Sequence, residues 1–227
     1  MKSKVDFINE NTTRALMKLF IPLMLAMTLT MAYSMVDSLW VGNLLGEAGM
    51  SALTASTAIV LIMNSLSMAV TSIVGQCKGA GRIDRAGDYC KKAMLTGGVL
   101  IGLVSALVIC TSPILSGCFG QGAEVGVIVA EFFHIVSIGY VLYMLTSCIQ
   151  GYITGIGRPE RAMLLLIAYY IIFRVLPALM LKHIFGLSGI WFAFLVSHIL
   201  ACVLAFVLLQ ISDKIFLKPV KKLYSGA

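Results

Sequence analysis

Apolar and polar positions divide the chain into six long runs without a charged residue. They extend from Leu19 to Val36, Ala48 to Cys77, Ala93 to Ala123, Phe132 to Gly157, Ala162 to Phe173 and His183 to Ser212. The fifth continues to Leu181 and is interrupted only by Arg174. About 20 residues of α-helix cross a ~30 Å hydrocarbon core, so each run is long enough to span a bilayer. Backbone N–H and C=O groups in lipid must be satisfied within the segment, and the two-residue alternation of a membrane barrel strand is absent. The pattern therefore predicts an all-α membrane protein, a bundle of six transmembrane helices. Residues 1–13 form an N-terminal segment, 14–212 the six-helix lobe and 213–227 a basic tail.

Charge sets the expected orientation. Lys2, Lys4, Arg14 and Lys18 precede the first run, Lys78, Arg82, Arg85, Lys91 and Lys92 follow the second, Arg158 and Arg161 follow the fourth, and Lys214, Lys218, Lys221 and Lys222 follow the sixth. That puts 15 of the 17 Lys and Arg residues on one side, and the positive-inside rule makes it the cytoplasmic side, with both termini there. The expected location is the cell membrane, crossed several times. Met1–Thr13 is too polar for a signal-peptide core, and the first apolar run is a full span.

Composition agrees with this reading and excludes others. Hydrophobic residues make up 59% of the 227 positions and charged ones 12%, against roughly 25% charged in soluble domains. The mean hydropathy is +0.97. A net charge of +7 is explained by topology and lipid headgroups, so nucleic acid is not an expected partner. Six scattered cysteines without a CxxC pair read as packing residues or free thiols.

Two turns repeat. Gly79-Ala80-Gly81-Arg82-Ile83-Asp84-Arg85-Ala86 follows the second run and Gly155-Ile156-Gly157-Arg158-Pro159-Glu160-Arg161-Ala162 the fourth, both reading G-x-G-R-x-[D/E]-R-A. Glycine ends the incoming helix in a left-handed conformation, and the acidic residue suits the first turn of the outgoing one. Either a shared demand for tight turns or a duplicated helix-loop-helix unit explains the match. No strand precedes either motif, which excludes a dinucleotide-binding loop. Gly98/Gly102 and Gly151/Gly155 have helix-packing spacing, and Pro22, Pro113 and Pro177 mark possible kinks within spans.

Ionisable and polar groups inside spans are the candidates for chemistry, because each is costly in lipid without a partner or water. Asp37, near the outer end of the first span, is either a cation or proton site or an interfacial acid. Arg174 cannot lose its charge and must meet a partner, a cavity or the interface; Asp37, Glu131 and carbonyls freed by Pro177 are the available acceptors. Glu131 and His134 open the fourth span and read as interfacial, whereas His198 lies within the sixth. The second span is polar without charge, from Ser51 through Asn64 to Ser72, and either glues helices together or lines a wet cavity. Met24, Met27, Met31 and Met35 form a stripe along the first span, suited to an adaptable apolar site or to plain packing. No Ser-His-Asp set, HExxH or Cys/His cluster is present, so neither an enzyme nor a metal cofactor is expected.

Several segments together resemble the multidrug and toxic compound extrusion (MATE) transporters. Pro22, Val36-Asp37-Ser38-Leu39-Trp40-Val41-Gly42, Leu45-Gly46 and Ser51-Ala52-Leu53 are similar to that family's first helix and outer turn. Val74-Gly75-Gln76 with Gly79-Ala80-Gly81-Arg82, Gly155-Ile156-Gly157-Arg158-Pro159 and Phe185-Gly186-Leu187-Ser188-Gly189-Ile190-Trp191 are similar to its later turns. The resemblance implies one six-helix lobe of a two-lobed exporter of amphipathic or cationic organic compounds, driven by Na⁺ or H⁺ re-entry, with Asp37 as the coupling acid. Asn64, Met31, Met35, Arg174 and His198 are then candidates for the cavity. At Tyr169-Tyr170-Ile171-Ile172-Phe173-Arg174 the chain departs from the family's N-terminal lobe, which carries Asn and Asp there. The expected assembly is a homodimer or a pairing with a second homologous lobe. The other expectation is a non-transporting fragment, or a subunit of a MATE-like exporter or flippase that depends on a different partner.

Overall fold

The computed structural model describes residues 11–119, 123–185 and 187–212. The first ten residues and the basic tail lie outside this description, as do the side chains of Pro22 and Asp37. Within it the chain folds into helices, and six of them are long and apolar enough to cross a membrane: Thr12–Asn43, Ser56–Gly79, Ile83–Thr111, Ala130–Gly155, Pro159–Leu181 and Ser188–Ser212. The first two are parted at Gly46, whose φ of 57° and ψ of −145° leave the helical region.

The fourth span is the hub of the bundle. It buries 61% of its apolar window, against 0% for the peripheral first span. Towards its start, Phe132 packs edge-on against Trp191 and Phe194 of the sixth span, over Met63 and Ile101. Towards its end, Ile149, Tyr152 and Ile153 close on Val70 and Val74 of the second span and on Leu165 and Leu209. Lipid tails are as apolar as Leu, so such contacts stabilise the bundle through packing density rather than by removing area from water.

The second and fourth spans lie side by side and run in the same direction. Ser67 donates to the Ser147 carbonyl at 2.7 Å and Thr71 to the Gly151 carbonyl at 3.2 Å, four residues further on in both spans. Gly151 makes this approach possible: a Cβ there would stand 2.4 Å from the Ser67 carbonyl oxygen, and one at Gly155 would stand 2.8 Å from that of Thr71. The second small-residue pair has no such role, since Cβ atoms at Gly98 and Gly102 would meet nothing closer than 4.0 and 3.9 Å.

The repeated turns share one geometry. Arg82 N–H reaches back five residues to the Cys77 carbonyl and Gly81 N–H three to Lys78, while Arg158 and Gly157 do the same to Ile153 and Thr154. Gly81 and Gly157 take φ of 73° and 80° at the matching position. This is the paired-bond ending that lets a helix stop at a left-handed residue. Lys78 Nζ donates to the Ile156 carbonyl and joins the two turns. An L residue in that conformation costs roughly 1–2 kcal/mol. Gly157→Ala is therefore expected to lower the thermal inactivation midpoint of the detergent-solubilised protein, read by size-exclusion recovery. Gly79→Ala, at a helical glycine with open space around it, is expected not to lower it.

The fifth span differs from the regular helix its composition predicts. Pro159 occupies the first turn with Glu160 beside it, as suits a helix start, and the helix then widens to a π-helix over Ala168–Val175 before resuming at Leu176. Pro177 has no N–H for the Phe173 carbonyl, and a local slip of register accommodates that loss.

Candidate functional site

A cavity of about 270 Å³ opens inside the bundle, in the half away from the two repeated turns, lined by the first, second, fourth, fifth and sixth spans. Helical periodicity assigns each wall. Thr30, Ser34 and Ser38 recur every four residues on the first span, and Ser56, Thr57 and Asn64 face them from the second. Phe132, Val136, Tyr140 and Tyr143 form a stripe at steps of four, four and three on the fourth span, while Phe194 and His198 stand one turn apart on the sixth.

The fifth span contributes Tyr169, Tyr170 and Arg174, all three buried. Five positions are about 1.4 turns of an α-helix, which would set Tyr169 and Arg174 on different sides. The i→i+5 bonding of a π-helix brings them one turn apart on one side. Arg174 Cζ lies 5.6 Å from the Tyr169 ring centre, and Ile171 and Ile172 turn outward at about half exposure. The widened segment adds Tyr169 to the face that Tyr170 and Arg174, four residues apart, would share in an α-helix.

Arg174 is 7% exposed and is the one charged side chain among the described lining residues. One guanidinium nitrogen donates to Ser197 Oγ at 2.9 Å, Ser197 donates in turn to the Phe194 carbonyl, and the Arg174 Cζ sits 3.4 Å from the Phe194 ring centre. A planar cation stacked on an aromatic face keeps its charge with little hydration to lose. His198, 4% exposed, shares a hydrogen bond between Nδ1 and the Tyr169 hydroxyl at 3.1 Å and stacks on that ring. Its Nε2 meets no hydrogen-bond partner among the described residues. The ring edge rests against Gly139, where a Cβ would come within 2.5 Å of the His198 Cδ2. Tyr143 donates to Asn64 Oδ1 at 3.3 Å.

The structure brings Asn64, Arg174 and His198 into one cavity, together with tyrosines that the sequence reading did not single out. Met31 and Met35 are not in its wall. At 70% and 68% exposure they stand on the outside of the bundle, and the serine and threonine face of the same helix lines the cavity instead. Glu131 accepts a hydrogen bond from Ser188, and the exposed His134 shares one with its own helix at the Ala130 carbonyl. The polar residues of the second span divide between both expected roles, with Ser67 and Thr71 joining helices and Ser56, Thr57 and Asn64 lining the cavity. The missed residues had a legible signal: Phe132, Val136, Tyr140 and Tyr143 are spaced for one helix face.

The MatE family profile matches residues 22–180. The chain belongs to the MatE family. This is a family of multi-pass membrane transporters rather than of enzymes. The chain is 34% identical over 106 residues to the probable multidrug resistance protein YpnP of Bacillus subtilis, covering 44% of this chain and 24% of that one. It is 28% identical over 218 residues to the probable multidrug resistance protein NorM of Mannheimia succiniciproducens, covering 89% of this chain and 45% of the relative. It thus spans less than half the length of either curated relative. The fold superposes on the bent form of the Vibrio cholerae MATE transporter VcmN with a TM-score of 0.81 at 18% identity, over 91% of this chain and 49% of that one. The MatE chain described here therefore has the architecture of one lobe.

Proposed function

We propose that this MatE chain is a half-size exporter that moves small amphipathic organic compounds across the cell membrane in exchange for Na⁺ or H⁺. The observation that carries the reading is the polar and aromatic cavity, built within an otherwise apolar bundle of the MatE fold. Water-filled or ligand-filled space is the ordinary reason for a membrane bundle to turn hydroxyls, an amide and a charge inward. Asp37 would bind the coupling ion. It follows Thr30 and Ser34 by seven and three positions and precedes Ser38 by one, spacing that belongs to the lining face of the first span. Both termini would be cytoplasmic, as the Lys and Arg asymmetry argues.

Two lobes are needed for alternating access in this reading, and a second copy of the chain would supply the other. The exposed apolar surface of the first span, including Met31 and Met35, suits such a contact. The second reading, a subunit that works only beside a different lobe, is favoured by the chain spanning less than half of its relatives. The mass of the nanodisc-embedded particle, taken together with dye efflux from cells carrying only this chain, separates them. A dimer with ion-dependent efflux is expected. A monomer without efflux would remove the self-pairing reading.

A further inference from the structure

We propose that the crease between the two repeated turns, flanked by Lys78 and Arg158, binds the phosphate of an anionic phospholipid in the leaflet at that end of the bundle.

The fold brings these two cations together. Lys78 Nζ donates to the carbonyl of Ile156, two residues before Arg158, so one turn lays its ammonium on the backbone of the other. The two charges are near enough to act on each other, and both side chains are half-buried. Like charges repel more strongly where water is partly excluded, and an anion shared between them turns that repulsion into attraction.

The two copies of the motif treat their arginines differently. In the first, Arg82 pairs with Asp84 two residues on, through Nε at 3.2 Å and a terminal nitrogen at 3.0 Å. Glu160 stands at the matching place in the second, yet among the described residues Arg158 has neither an ion pair nor a side-chain hydrogen bond. Arg161, three positions on, donates to Ser212 Oγ at 2.8 Å. One copy therefore neutralises its own arginine, and the other presents an open guanidinium fork beside an ammonium that spends one of three donors on Ile156.

Place and chemistry name the ligand. Gly79 ends the second span and Pro159 begins the fifth, which sets the crease at the level of lipid headgroups, where basic pockets between spanning helices hold anionic lipids. A guanidinium fork takes two phosphate oxygens at once, and an ammonium adds a point charge. Phosphatidylglycerol offers the phosphate alone, whereas phosphatidylcholine carries a cation of its own into the crease.

The test is native mass spectrometry of the delipidated chain in dodecyl maltoside, titrated in turn with dioleoylphosphatidylglycerol and dioleoylphosphatidylcholine, reading the affinity of the first bound lipid. A basic residue near an anionic lipid is worth about fivefold in affinity, and phosphatidylglycerol is expected to bind with at least that advantage. Arg158→Gln and Lys78→Gln are each expected to remove most of it. Arg82→Gln makes the same change in net charge in the matching turn and is expected to leave it, because Asp84 already neutralises Arg82.

Equal affinity for the two lipids would overturn the proposal. So would equal losses in Arg82→Gln and Arg158→Gln, which would assign the preference to overall charge. Lys78 also ties the turns together; should Lys78→Gln fail to fold, the contrast between Arg158→Gln and Arg82→Gln decides. Inorganic phosphate is the third probe: failure of millimolar phosphate to displace phosphatidylglycerol is expected, and displacement would assign the crease to a free anion and overturn the lipid reading. Asp213 follows Ser212 and lies outside the described residues. A larger gain in phosphatidylglycerol affinity from Asp213→Asn than from Asp88→Asn would overturn the proposal, because the crease would then have its counterion within the chain.

Discussion

Asp37→Asn is expected to reduce ion-driven efflux at least severalfold while leaving the protein folded and membrane-inserted. The substitution keeps the shape of the side chain and removes its capacity to exchange a proton or hold a cation. An aspartate is among the most costly residues to keep within a span, and a structural role alone would favour its neutral analogue. The measurement is dye efflux from energised cells with an imposed Na⁺ or H⁺ gradient, with expression checked by size exclusion of the solubilised protein. If Asp37→Asn retained full gradient-dependent efflux, Asp37 would not be the coupling group. The neighbouring cavity wall of Thr30, Ser34 and Ser38 is neutral, so a loss confined to the gradient-driven component would point to Asp37 itself.

Gly151→Val is expected to prevent the bundle from closing. Even a single Cβ at this position would stand 2.4 Å from the Ser67 carbonyl oxygen, and the atom it meets is helix backbone, which cannot move aside as the end of a side chain can. The second and fourth spans would have to separate, breaking the Ser67 to Ser147 and Thr71 to Gly151 hydrogen bonds. Overpacking costs about 1–3 kcal/mol, and interhelical hydrogen bonds in membranes contribute about 0.6 kcal/mol each. Together these come to about 2–4 kcal/mol, a sizeable cost against the ~5–15 kcal/mol that separates folded from unfolded states. Monodisperse recovery after detergent extraction is therefore expected to fall at least severalfold. Gly98→Val, where the nearest atom to a Cβ is the Leu145 Cδ2 at 4.0 Å, is expected to extract normally.

These contrasts show how much of the molecule was legible along the chain. Composition cannot tell Gly98/Gly102 from Gly151/Gly155, because both pairs have the same spacing and differ only in how near another helix passes. The repeated turns were more readable. Glycine at a helix end followed by Arg and an acid is a local arrangement, so Gly81 and Gly157 took the left-handed conformation that their place in the motif required. The methionine stripe on the first span was visible, and so was its complement of Thr30, Ser34 and Ser38. Which face turns inward depends on what the other spans present to it.

What the sequence determined by itself follows from transfer energetics. Apolar runs of about 18 residues or more must be helices in lipid, and an ionisable residue such as Arg174 within one must have a reason to be there. The six spans, the turns and Arg174 as a functional candidate were accordingly settled one residue at a time. The tertiary structure alone decided that Arg174, His198, Asn64 and the tyrosines share one cavity. Their separations along the chain, from 64 to 198, are bridged by packing around the fourth span. The π-helical widening at Ala168–Val175, which turns Tyr169 and Arg174 to one side, depends on a register slip that an α-helical period cannot foresee.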